Sequence, residues 1–464
     1  MIFNSLTYFL FFLVYYIFYR FLPNKSQNYL IIIGSLIFYA WWEPTYIWIP
    51  VLLIMISFYG TKFMISVNKK YKKITLLITL IFLYLPLLIY KYLDFFYSDL
   101  AKPLLNLPER SFDFVMPLGI SFITFTLMTY IVDVFKNRFK KKVSLINFIS
   151  YVLFFPQLIA GPILRPHELI PKLENYKKEQ NNKFYLAISI FTIGLVKKVI
   201  FGDYIGSEIV DPIFNGNSYE FDGLTTLISI YAFSVQIYCD FSGYMDMAIG
   251  SSLMLGIELP VNFNSPYGSS SLAEFWRKWH ITLSNVLRDY LYIPLGGNRF
   301  GIFKQFRNIL ITMLIGGLWH GSSWNFIIWG LLHAIGIIIN RIFEITIKCK
   351  NNFLKPLKIF VTFNYVTFLW IFFRAKDLSQ VINIFKNIIY GGYSNYYLFF
   401  EKNNFILILL VFFFLTHKFD NKKFIFENIK RIMPELLIPI LLILWMLVIS
   451  FSQVSSGTFI YFDF

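Results

Sequence analysis

Apolar runs close to the ~20 residues an α-helix needs to cross a hydrocarbon layer recur from one end of this sequence to the other. They fall at roughly 3–22, 29–42, 46–66, 74–91, 114–135, 144–164, 184–206, 223–239, 324–345, 357–373, 404–416 and 434–452. Inside a bilayer a segment of this length must satisfy its own backbone groups, which it does as a helix. The expected fold is therefore an all-α polytopic membrane protein. Several runs are short or carry polar residues, so about 11 are expected to span, with re-entrant and interfacial helices besides. Composition agrees: 57% hydrophobic, 21% aromatic and only 15% charged residues, with a mean hydropathy of +0.60. The first run has no basic region ahead of it and no small-residue cleavage site, so it reads as a mature helix and not as a signal peptide.

Lysine and arginine outnumber aspartate and glutamate by 42 to 26, a formal charge of +16. In a soluble protein that excess suggests nucleic acid; here it clusters between apolar runs, where it sets topology, and no nucleic-acid partner is expected. "VNKKYKK" (67–73) and "KNRFKKK" (136–142) should both face the cytoplasm. Two helices lie between them, so the loop carrying Asp94, Asp99, Glu109 and Asp113 is expected outside, as is the N-terminus. Beyond residue 165 charge alone does not assign sidedness. The two cysteines, Cys239 and Cys349, form no CxxC or Cys/His spacing and read as structural, with no bridge between them and no metal site.

No linker-like or low-complexity stretch divides the chain, and no repeat or doubling of halves is apparent. A single membrane domain over 1–464 is expected: N-terminal helices in 1–235, a catalytic core in 236–345, and C-terminal helices in 346–464 with a tail at 459–464. The composition changes from about 236 to 325, where "QIYCDFSGYMDMAIG", "EFWRKWHITLSNVLRDYLYIPLGGNR" and "GGLWHGSSWNF" bring polar, charged, Trp and Gly residues into an otherwise apolar chain. Polar groups at membrane depth face a bundle interior or a watery cavity, so the function is sought here. Residues 274–292 read as one amphipathic helix, with Trp276, Trp279, Leu283, Leu287 and Tyr290 on one face; an interfacial helix lying flat is the plainer reading. The stretch 306–318 offers only about 13 residues, too few to cross. Ser322 or Ser323 can cap a new helix near Trp324, which puts His320 at a break within the bilayer.

The sequence holds no GxGxxG, no P-loop, no HExxH, and no HxxxxD at any histidine. What remains is two histidines, His280 and His320, each beside a tryptophan and about 40 residues apart. A neutral buried imidazole can take a proton from a hydroxyl, as acyl transfer from a thioester to an alcohol requires. The amides that open the helix after Ser322 can favour the developing oxyanion. The alternative is that each ring only hydrogen-bonds a neighbouring helix. His333 lies 13 residues past His320, about 220° round an ideal helix, and should point away. His167 and His417 sit in charged loops and should be solvated. The closing "FIYFDF" either anchors the tail at the interface or inserts Tyr461 into a cavity, where its phenol can act as a nucleophile.

Taken together with "NSLTYFLFF", "SLIFYAWWEP", "FFPQLIAGPILRP" and "GGLWHGSSWNFIIWGLLHA", these pieces resemble the membrane-bound O-acyltransferase (MBOAT) family over essentially the whole chain. The similar branch exports acetyl groups onto alginate and peptidoglycan. The resemblance implies a ring of tilted helices around a thin centre pierced by a tunnel. Acetyl-CoA would be the donor and no cofactor would be bound. His320 would be the catalytic histidine, with His280 its polar partner in the tunnel. Trp319, Trp279, Asn325, Arg288, Asp289 and Asp240 would shape the tunnel or bind substrate. Tyr461 would carry the acyl group to an extracytoplasmic SGNH-hydrolase-like partner that acetylates a polysaccharide, all in a bacterial plasma (inner) membrane. A D-alanyl-exporting relative fits less well, because that branch places its acyl-carrying tail on a separate small subunit. The rival readings are a flippase for a lipid-linked saccharide, in which Lys197 and Lys198 attract phosphate, and a scaffold that recruits a transferase.

Overall fold

The computed structural model describes residues 1–23, 26–112, 114–174, 183–216, 221–347, 352–393, 396–452 and 460. Helix is the regular structure found among the described residues, and eight helices there are long and apolar enough to cross a membrane. Three shorter apolar helices accompany them: Leu6–Phe21, Gln27–Ala40 and Ile120–Phe135. The protein is an all-α, multi-pass membrane protein. Its contacts group it into two compact units, residues 1–191 with 247–260 and residues 192–246 with 261–464.

The first unit contains α1 (Leu6–Phe21), α2 (Gln27–Ala40), α3 (Trp48–Ser66), α4 (Lys72–Leu105), α5 (Ile120–Phe135), α6 (Leu145–Leu153) and α7 (Pro166–Glu174). Ser5 caps α1 by accepting from the Tyr8 amide at 3.2 Å. Tyr8 then buries its ring against Phe3, Phe38 and Phe191 and shares a 2.6 Å hydrogen bond with Ser251. Two expectations change here. Asp94 and Asp99 lie on α4 and not in a loop, because wide π-turns at Leu88–Tyr92 and Phe96–Ala101 carry the helix past its apolar run; Asp113 is outside the described residues. The run 144–164 is not one helix either. The chain turns at Phe154 and makes a single further turn, Phe155–Leu158, with Pro156 in its first turn, where a missing N–H costs nothing.

The second unit holds most of α8 (Phe184–Asn215) and α9 (Gly223–Met254). It continues with α10 (Leu272–Lys278), α11 (Ile281–Leu287), α12 (Ile302–His320), α13 (Trp324–Ile347), α14 (Lys355–Arg374), α15 (Leu378–Tyr390), α16 (Phe399–Phe419), α17 (Lys422–Arg431) and α18 (Pro434–Ser452). The apolar core window of α9 is 72% buried and that of α18 only 17%. α9 is thus an interior helix, and α18 turns Leu436, Leu442, Ile443 and Met446 outward, as a lipid-facing helix does. The small residues of α9 let α8 come close: a Cβ on Gly243 would lie 2.6 Å from the Gly194 carbonyl oxygen and 2.9 Å from the Lys198 nitrogen.

The expected amphipathic helix over 274–292 is two helices. α10 stops at Lys278, Trp279 is extended, and His280 takes a left-handed φ of +43° before α11 begins. The periodic face therefore does not run through, and Trp279 is fully buried instead of interfacial. α12 is longer than its apolar run because Lys304, Gln305 and Arg307 join its first turns. Its 19 residues rise about 28 Å.

Candidate functional site

The hairpin of α12 and α13 builds the site. α12 ends on His320 as Gly321 goes extended (φ −159°, ψ 156°), and α13 starts at Trp324, so the expected break is present. The hairpin is tight: a Cβ on Gly317 would strike the carbonyl oxygen of Phe326, and only glycine allows that approach. Asn325 holds the α13 end by donating from Nδ2 to the Ala375 carbonyl at 2.8 Å, so it anchors the hairpin to the end of α14.

His320 is 2% exposed, and aromatic rings wall it in. Its centroid lies 5.0 Å from Trp319, 5.1 Å from Trp329 and 5.3 Å from Phe373, each at a steep interplanar angle. Trp319 reaches the other way to His280 at 5.9 Å, so one indole stands between the two imidazoles. The structure thus brings His320, Trp319 and His280 together. Trp279 lies in an adjoining aromatic layer, 4.9 Å from Trp370 and 5.1 Å from Phe263.

His280 is set by Asn262, a residue the motifs did not single out. Asn262 Oδ1 accepts from the Thr282 amide and hydroxyl, both at 3.0 Å, and faces His280 Nδ1 at 3.3 Å. Those donors identify the amide oxygen, so Nδ1 carries the proton and the neutral ring's lone pair lies on Nε2. Burial pushes this imidazole down from 6.5 to about 3. In an unfolded chain the ring binds a proton below pH 6.5, whereas the folded site refuses it until about pH 3, so stability falls with pH across that window. By pH 5 the expected loss is about 2 kcal/mol relative to pH 8. Thermal melts at the two pH values should show a smaller difference for His280→Gln; an undiminished difference would locate the acid sensitivity elsewhere.

His333 is nearer to the centre than the helical wheel allows. Because the chain folds back at Gly321–Ser323, α13 returns along α12, and His333 packs 4.6 Å from Trp329, the same indole that touches His320. It accepts from Trp276 Nε1 at 3.4 Å. His417 is likewise buried and not solvated, with its Nε2 accepting the Tyr267 amide at 3.1 Å; His167 is exposed.

Arg288 and Asp289 pair with each other, Nε to Oδ1 at 2.6 Å, in the wide turn Arg288–Tyr292. Arg288 lines a cavity of about 640 Å³ together with Arg277, Arg341, Gln305, Asn340 and Thr312. Thr312 is eight residues before His320, about 12 Å along α12.

Asp240 belongs to a separate charged cluster. Wide turns at Lys197–Tyr204 bring residues five apart onto one face, and Lys198 Nζ meets Asp203 at 2.6 Å and also Asp240 of α9. Its neighbour Lys197 lies 2.7 Å from both Asp246 and Asp420, and the Tyr238 hydroxyl donates to Asp420 at 2.6 Å. Each ammonium sits between two carboxylates, so the pair is not arranged to attract a phosphate. Cys239 is a buried free thiol, and Cys349 lies outside the described residues. Tyr461 also lies outside them, but Ile460 is described: it is buried, and its amide donates to Asp240 Oδ2 at 2.8 Å.

Residues 34–376 match the model of a family described as MBOAT, the membrane-bound O-acyltransferases. Over 402 residues the chain is 37% identical to a peptidoglycan O-acetyltransferase of Helicobacter pylori, covering 77% of this chain and 73% of the relative. It is 36% identical over 398 residues to a probable alginate O-acetylase of Pseudomonas aeruginosa, covering 83% of this chain and 74% of that one. Similarity to a teichoic acid D-alanyltransferase of Streptococcus thermophilus is 29% over 310 residues, covering 59% of this chain and 71% of the relative.

Proposed function

The chain belongs to the membrane-bound O-acyltransferase family and is a multi-pass membrane acyltransferase, and from that premise we propose its specific reaction. An acetyl group passes from cytosolic acetyl-CoA, through a tunnel, to an extracytoplasmic polysaccharide of the bacterial cell, in an inner-membrane enzyme. The names of the relatives that match at 36–37% identity support acetyl as the group and a glycan as the acceptor. The observation that carries the reading is the meeting of His320, Trp319 and His280 in a buried aromatic wall at the end of α12.

His320 acts as base toward the phenol of Tyr461. As the Tyr461 oxygen attacks the thioester carbonyl, its proton moves to the imidazole, the new C–O bond forms and the C–S bond breaks. The proton then leaves the imidazole for the departing thiolate, which gives free coenzyme A. A partner of the SGNH-hydrolase type takes the acetyl group from the Tyr461 ester to a sugar hydroxyl and restores the phenol. The wall around His320 keeps water away and strengthens the electrostatics of the step. The cavity beside α12 suits the donor's anionic end: Arg277, Arg288 and Arg341 line it, and guanidinium groups pair well with phosphate. Asp289 orients Arg288 there, and Asn325 fixes the hairpin that presents His320.

Mass spectrometry tests the relay. The purified full chain in lipid vesicles, given acetyl-CoA and no partner, should yield a C-terminal peptide acetylated on Tyr461, and Tyr461→Phe should remain unmarked. A C-terminal peptide that never gains acetyl sinks the relay.

A further inference from the structure

We propose that Asp240 is a positioning residue for the acyl-carrying tail: its carboxylate grips the main chain at Ile460 and thereby fixes the point from which Tyr461 starts. The Ile460 amide donates to Asp240 Oδ2 at 2.8 Å, and both residues are buried, Asp240 to 2% exposure and Ile460 to 8%. A hydrogen bond from an amide to an ionised acceptor is among the stronger ones, and out of water its loss leaves a buried donor unsatisfied. One peptide link separates Ile460 from Tyr461, so what holds the first limits where the second begins.

Asp240 is itself held in place. It lies in α9, the more deeply buried of the spanning helices described above, and its other oxygen meets Lys198, which also binds Asp203 at 2.6 Å. The 2:1 ratio of carboxylate to ammonium has a purpose in this arrangement. Asp203 suffices to balance Lys198, and the second carboxylate has an oxygen to spend on a backbone donor. Because the grip is on the main chain, it reads the tail's position and not its side chains. A main-chain contact of this kind lets the tyrosine be modified and unmodified without the anchor changing.

The role of the tail rests on the Tyr461 relay, and the test separates the two. Hydrogen exchange of the full chain in nanodiscs, read on the C-terminal peptide, should show a protected Ile460 amide. Asp240→Ala should speed that exchange at least tenfold while peptides of α12 stay unchanged. Asp240→Asn, which keeps an acceptor oxygen, should restore most of the protection, and Asp203→Asn should leave it in place. In single turnover, Asp240→Ala should slow the appearance of acetyl on Tyr461 about tenfold with the KM for acetyl-CoA unmoved. Unaltered exchange at Ile460 in Asp240→Ala, or equal loss in Asp203→Asn, overturns the proposal. Accelerated exchange together with an absence of Tyr461 acetylation even in the unaltered chain supports the grip and removes the relay.

Discussion

Acetyl transfer by His320→Ala should fall about 100- to 10,000-fold, the usual contribution of a positioned acid–base group. The ring is buried against Trp319, Trp329 and Phe373, so alanine also removes packing. His320→Gln fills much of the volume and cannot take the proton, and it should be as inactive as alanine with less loss of stability. Labelled acetyl-CoA turned over in vesicles by matched amounts of folded protein gives the comparison. Should His320→Gln keep activity within about threefold of the parent, the imidazole is a packing residue and the proton goes elsewhere. The loss should appear in kcat more than in KM, because a base of the proposed kind acts in the transition state and does not hold the donor.

Lys198→Met should destabilise the protein by about 3–5 kcal/mol, as expected when one partner of a buried ion pair is removed. The methionine is nearly isosteric with the lysine stem, so the cost is mainly that of Asp203 and Asp240 left facing each other without their shared cation. Combining Lys198→Met with Asp203→Asn and Asp240→Asn should recover most of the stability, since the cluster is then neutral. Melting curves in nanodiscs, followed at constant protein and lipid, measure both changes. A single mutant that melts with the parent would mean that water or another cation serves these carboxylates.

The sequence shows the spanning helices because an apolar run must be about as long as the hydrocarbon is thick. It shows the break at His320 because glycine and serine interrupt one such run. His280 is legible as a residue, but its left-handed backbone is not: "RKWHITL" has no glycine, and the hydrogen bonds beside the turn come from Asn262 in another part of the chain. A helical wheel misplaces His333 because it assumes a continuous axis, and here the axis reverses between His320 and Trp324. Lys198, Asp203 and Asp240 are equally hard to read in advance. Two of them are brought together by a wide helical turn that breaks the 3.6-residue period, and the third lies on another helix. Asp246 and Asp420 meet Lys197 from 49 and 223 residues away in the sequence. Charges in apolar runs signal that partners exist without naming them.

If His320 is the base proposed above, the indole and phenyl rings that surround it bear on thrift as well as on rate. An activated ester beside an imidazole is an inviting target for hydrolysis, and a solvated pocket would discharge it as free acid before any acceptor arrived. In the proposed reaction an aromatic enclosure would suppress that leak and couple each donor molecule consumed to one delivery. Loosening the enclosure at Trp329 or Phe373 would therefore show first as futile turnover, with coenzyme A released faster than product accumulates.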